Sequence, residues 1–194
     1  LLSGCLGTTP VTDRNQVVFM SPEEESSLGD KGYKEFLKTA KISTDTVQTK
    51  RIKTIGNRIA KVANRPDFNW EFNLVEDPQI NAWCMPGGKV VVYTGILKMA
   101  KNDDQLATVM AHEVSHALAR HGAERMSHQQ IASGLQKVGN ILLGAAAPEY
   151  SNAFNLAYGV GTQYGVMLPY GRAHEHEADE IGLHLMHKAG YDIN

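Results

Sequence analysis

The sequence is poor in cysteine, with only Cys5 and Cys84 in 194 residues. If Cys5 carries a modification, no intrachain disulfide can form. Positive charge is not in surplus either: the formal net charge of -2 leaves no basic footprint for nucleic acid. No run of about eighteen apolar residues occurs, so no membrane-spanning helix is expected. Internal repeats and low-complexity tracts are also missing. What remains is the composition of an ordinary globular protein, 42% hydrophobic and 21% charged. A chain of this length fits one domain with an ordinary core.

The first residues carry a signal of their own. Leu2-Ser3-Gly4-Cys5 resembles a bacterial lipobox, the end of a lipoprotein signal peptide. Cleavage before Cys5 would leave a lipidated cysteine that anchors the protein to a membrane without spanning it. Residues 8–14 then read as a polar tether. Leu6, with no acid after the cysteine, points to the outer membrane. The expected organisation is a signal remnant and tether over residues 1–20 and a single domain over 21–194, lipid-anchored in the bacterial cell envelope and facing the periplasm. Cys84 reads as a small buried hydrophobe.

Ser21-Pro22-Glu23-Glu24-Glu25 is a helix start, with a cap, a proline in the first turn and acids, for a helix running towards Lys38. Val47, Ile52, Ile55, Ile59 and Val62 recur at helical spacing over residues 45–62. Residues 70–74 alternate apolar and polar and predict a strand. Residues 82–85 and the β-branched 89–94 predict two more, in a hairpin or small sheet. Asn102-Asp103-Asp104 caps a helix over 103–121, with Gly122 as its stop. Residues 129–170 predict a helix, a loop around Pro148 and another helix over the cleft, ended by Pro169 and Gly171. A last helix follows over 172–188. The fold class is α+β, mostly helical.

His112-Glu113-Val114-Ser115-His116 is the H-E-x-x-H pattern, placed inside the best-defined helix. A four-residue step is just over one turn, so both imidazoles project from one face and can grip one metal ion, with Glu113 beside them. A catalytic zinc needs a third protein ligand and keeps its fourth position for water. A third histidine ten residues after the first is excluded, because Gly122 stands there and His121 is one residue short. The alternative lies in Glu175-His176-Glu177-Ala178-Asp179. Glu175 and Asp179 share a helix face, so Glu175 could bind zinc while Asp179 orients a ligating imidazole. His174, His176 and Glu177 compete with Glu175 for the ligand role.

The sequence resembles the gluzincin metallopeptidase family that includes the CaaX prenyl proteases, HtpX and BepA-like peptidases. The resemblance is carried by Asn81-Ala82, Pro86-Gly87-Gly88, Val91-Val92-Tyr93-Thr94-Gly95, the H-E-x-x-H segment with Ala119-Arg120-His121, and Arg172-Ala173-His174-Glu175 leading to Ala178-Asp179. One departure is Gly171, where serine often precedes the arginine. The resemblance implies a zincin-like domain with a small sheet beside the H-E-x-x-H helix. It implies His112, His116 and Glu175 as zinc ligands, Glu113 as the catalytic residue and Asp179 as a supporting acid. It also implies further C-terminal helices after Tyr191-Asp192.

The chemistry expected of such a site is hydrolysis of peptide bonds. Zinc would polarise the scissile carbonyl and acidify the attacking water, and Glu113 would take the water proton and pass it to the leaving amine. Arg172, Tyr170 and the nearby histidines are candidates for stabilising the transition-state oxyanion. An extended peptide substrate would lie along strand 89–94. The expected substrates are unfolded or damaged cell-envelope proteins. Two other readings stand beside this one: an envelope lipoprotein with a binding or chaperone role and a latent zinc site, and a zinc hydrolase of non-peptide amides. Arg120 and His121 interact either with the helix dipole or with the site. Trp70 and Trp83 read as packing residues.

Overall fold

The computed structural model describes residues 6–146, 155–156, 158 and 168–193. Cys5 and the rest of the lipobox lie outside the described residues, as does Pro148. The chain opens with a short antiparallel hairpin, β1 (Leu6–Thr8) and β2 (Asn15–Val17). Helix α1 (Pro22–Leu37) follows, then α2 (Thr46–Ala63). The first begins as the sequence predicts, and the second begins one residue later, with Asp45 as its cap. Ser21 and Glu24 form a reciprocal capping box, and the Asp45 carboxylate accepts from the Gln48 amide at 3.0 Å, which satisfies amides the helices leave unpaired.

Strands β3 (Glu71–Val75), β4 (Ala82–Met85) and β5 (Lys89–Tyr93) form one sheet in the order β3-β5-β4. The central strand pairs parallel with β3 and antiparallel with β4. Its run of valines follows from that position, since a strand covered on both faces has no polar side. Val90 and Val92 face the main core with α2, while Val91 packs on the other face with Tyr33 of α1. Both backbone edges of β5 are consumed by its neighbours. This corrects the expectation that a peptide could lie along residues 89–94. Among the described residues, strand β4 has β5 as its one strand neighbour and lies against the next helix, so β4 is the edge strand beside the site.

A 3-10 turn (Thr94–Lys98) leads into α3 (Asp103–Leu118), capped by Asn102 on the Gln105 amide at 2.9 Å. Then come α4 (His121–Ala146) and α5 (Leu168–Lys188). Two boundaries differ from the sequence reading. Helix α3 stops at Leu118, because Arg120 adopts a left-handed backbone with φ of 58°, and Gly122 lies inside α4. Helix α5 begins at Leu168, so Pro169 and Gly171 are within it. A proline in a first turn loses no hydrogen bond, since that amide has no helical partner. Among the described residues no helix is long and apolar enough to cross a membrane.

The segment read as a tether is folded onto the domain. Thr9 is 1% exposed and Gln16 is 3% exposed, and the hairpin turn reaches residues of α4 and α5 through hydrogen bonds described below.

The site depends on how closely α5 packs on α3. Gly182 makes that approach possible: a Cβ there would stand 3.3 Å from the backbone nitrogen of His112. Gly182→Leu is therefore expected to wedge the two helices apart and to destabilise the fold by about 1–3 kcal/mol. A fall in the urea midpoint checks this, and an unchanged midpoint would contradict it.

Candidate metal centre

Helix α3 brings His112 and His116 to one face, and α5 crosses that face so that Glu175 meets them. One ligand atom from each of the three lies within 4.8 Å of the others. The two Nε2 atoms are 3.1 Å apart, His112 Nε2 is 3.3 Å from Glu175 Oε2, and His116 Nε2 is 3.6 Å from Glu175 Oε1. Donors about 2.0–2.1 Å from a tetrahedral zinc stand about 3.3–3.4 Å from one another. The two imidazole nitrogens stand near that spacing, with one Glu175 oxygen facing each of them, and two imidazoles with one carboxylate are a donor set that zinc accepts.

Both imidazoles are prepared on their far sides. The Asp179 carboxylate lies 2.8 Å from Nδ1 of His112, which places the proton on Nδ1 and leaves Nε2 as a lone pair. Nδ1 of His116 is 2.9 Å from Nδ1 of His121. Burial holds His116 below its ordinary pKa, with His112 adding to the shift and Glu175 opposing it. A neutral ring is the form that binds metal.

Glu113 lines the same cleft, a cavity of about 420 Å³ whose walls also include Trp83 and Cys84 of β4, Arg120 and Arg125. Burial raises its carboxyl to about 7, with Glu175 adding to the rise and His112 opposing it. Burial, and then the charge of Glu113, push the Cys84 thiol far above its ordinary range.

The remaining sequence candidates are distributed as follows. Arg172 is exposed on α5 and is not among the described residues that line the cleft. The Tyr170 side chain lies outside the described residues. His176 is exposed, whereas His174 and Glu177 are buried and turned to other partners. Arg120 donates through Nε to the buried Glu25 at 2.7 Å and through Nη2 to the Met20 carbonyl at 2.6 Å. Trp83 packs edge-on against Phe36 with centroids 4.9 Å apart, and Trp70 stacks on Phe72 at 6.1 Å. Sequence reasoning missed Arg14 and Glu124, which meet Glu177 and His174 behind the histidines. No local pattern marks them, because they converge only through tertiary packing.

Comparison with known proteins accounts for the arrangement. Residues 46–194 match the sequence signature of peptidase family M48. The chain belongs to that family. It is 34% identical over 188 residues to the mitochondrial metalloendopeptidase OMA1 of Schizosaccharomyces pombe, covering 95% of this chain and 53% of that protein. It is 34% identical over 176 residues to the beta-barrel assembly-enhancing protease of Escherichia coli (strain K12), covering 89% of this chain and 36% of that protein. OMA1 of Saccharomyces cerevisiae is 33% identical over 210 residues, with 97% and 58% covered. The chain thus spans between about a third and just over half of these relatives. The gluzincin resemblance read from the motifs is the same relationship. The family is one of metallopeptidases, and membership implies a metal cofactor.

Proposed function

We propose that this M48 domain is a zinc-dependent endopeptidase in which His112, His116 and Glu175 hold the metal and Glu113 handles the proton. The observation that supports this most is the convergence of three donor groups within 4.8 Å of one another in a cleft that also holds Glu113. When bound, zinc polarises the scissile carbonyl and lowers the pKa of the attacking water. The chain's own residues do the rest. Glu113 accepts a proton from the water as its oxygen bonds to the carbonyl carbon. The same carboxyl then delivers that proton to the amine nitrogen as the C–N bond breaks. Asp179 keeps Nε2 of His112 unprotonated and turned to the metal. The β4 edge offers main-chain donors and acceptors to an extended polypeptide, so recognition rests largely on backbone and suits unfolded substrates.

The finer reading is a lipid-anchored peptidase acting on unfolded or damaged proteins of the bacterial envelope. It draws on the lipobox-like start and on the relatives named beta-barrel assembly-enhancing protease. In this reading residues 21–194 form the peptidase domain, with Cys5 as the lipid attachment point.

The test is degradation of casein. Treatment with a zinc chelator is expected to abolish it, and stoichiometric zinc to restore it. Stoichiometric zinc binding with no turnover of casein or of unfolded envelope proteins would instead favour a latent site in a binding protein.

A further inference from the structure

Behind His116 runs a chain of buried polar groups that ends on the N-terminal hairpin, outside the residues matched to the family signature. His116 turns Nε2 towards Glu175 and His112, and its Nδ1 meets Nδ1 of His121 at 2.9 Å. The other nitrogen of His121, Nε2, is 2.9 Å from Oε2 of Glu177. His121 is 0% exposed and Glu177 is 6% exposed, so bulk water does not stand in for these partners.

The hairpin holds Glu177 from the far side. Thr9 donates its hydroxyl to Oε1 at 2.6 Å, and the Thr12 hydroxyl donates to the same oxygen. Arg14 donates through Nε to Oε2 at 2.8 Å. Its remaining fork grips both carboxylate oxygens of Glu124 at 2.9 and 2.7 Å. Glu124 in turn lies 3.0 Å from Nε2 of His174, whose ring stacks on His121 with centroids 4.1 Å apart.

Hydrogen-bond partners assign the protons along this chain. A carboxylate only accepts, so neutral His121 carries its proton on Nε2, facing Glu177. Its Nδ1 is then a lone pair, and a hydrogen bond forms there only if His116 carries its proton on Nδ1. Nε2 of His116 is left unprotonated and aimed where the metal would sit. The negative charge of Glu177 thus sets the direction of each bond in the series, and Arg14 compensates that charge.

We propose that Glu177, His121 and the hairpin residues Thr9, Thr12 and Arg14 form a positioning relay that fixes the tautomer and ring orientation of His116. The hairpin is thereby part of the metal site. His112 receives the same service directly from Asp179, while His116 receives it through a second imidazole. The proposal rests on the reading that His116 is a metal ligand.

The experiment measures zinc affinity by chelator competition and records the visible spectrum of the cobalt-substituted protein at saturating metal. Wild type and His116→Ala establish the ligand first. Glu177→Gln keeps the shape of the side chain but can present an N–H to His121, which permits the reversed proton arrangement. His121→Phe preserves the stack on His174 and removes both hydrogen bonds. Each is expected to weaken zinc binding by about 10–100-fold, the usual cost of losing a partner of a metal-bound histidine, and to shift the cobalt bands. His121→Asn, which returns an acceptor oxygen near the place of Nδ1, is expected to recover part of the affinity. Thr12→Val, at the half-buried hairpin end of the network, carries the test should the buried variants not fold, with weaker zinc binding expected.

Folded relay variants that bind zinc within about threefold of wild type, with unshifted cobalt bands, overturn the relay while leaving His116 as a ligand. Wild-type zinc affinity in His116→Ala overturns the ligand assignment itself and the relay with it.

Discussion

Glu113→Gln is expected to lower peptide hydrolysis by about 10²–10⁴-fold while leaving the zinc content unchanged. Glu113 follows His112 directly on α3 and lines the cleft beside the donor trio. Its burial keeps the carboxyl near 7 in the metal-free protein, and a dication nearby would favour the ionised, proton-accepting form. Glutamine has nearly the same shape but cannot take up the water proton. It makes no contribution to holding the metal in this reading, so occupancy and rate should separate. Initial rates on casein and zinc content by atomic absorption on the same preparation check both halves. A rate near that of wild type would remove Glu113 from the mechanism.

Glu175→Ala should produce the other large effect, this time on the metal. Glu175 is the one member of the trio that does not come from α3, and it supplies the only formal negative charge among the three donors. Its side chain is 62% exposed, so its removal leaves no buried hole and the fold should persist. Even an outer partner of a metal-bound histidine is worth about 10–100-fold in affinity, so loss of the carboxylate ligand is expected to cost at least about 100-fold. Dialysis against a weak chelator followed by metal analysis measures it. Full occupancy in this variant would place the third ligand elsewhere. His174 and Glu177 are poor substitutes, because each is already committed to buried partners.

The chemistry was legible in the sequence because it is local. Two histidines one turn apart, and Glu175 with Asp179 one turn apart, declare their shared faces through helical geometry alone. Two helix starts were readable for the same reason: Ser21 and Asn102 each cap within three residues of themselves. The H-E-x-x-H helix end was not readable. Arg120 adopts a left-handed conformation that is uncommon for a residue with a Cβ, and Gly122 looked the better stop. The turn that results sets His121 beside His116. The centrality of β5 was equally hidden, since a valine-rich strand gives no sign of which neighbours it will have. Residues 8–14 looked like a tether because they are polar, yet their polarity serves a buried carboxylate 163 residues away along the chain, reached by Arg14. Only the folded chain reveals that pairing.

Zinc K-edge absorption spectroscopy of the loaded protein tests the central assignment most directly. The account predicts a shell of four nitrogen and oxygen neighbours at about 2.0–2.1 Å, with the outer-shell scattering of two imidazoles. A sulfur neighbour at about 2.3 Å, or a shell with fewer than two imidazoles, would contradict it.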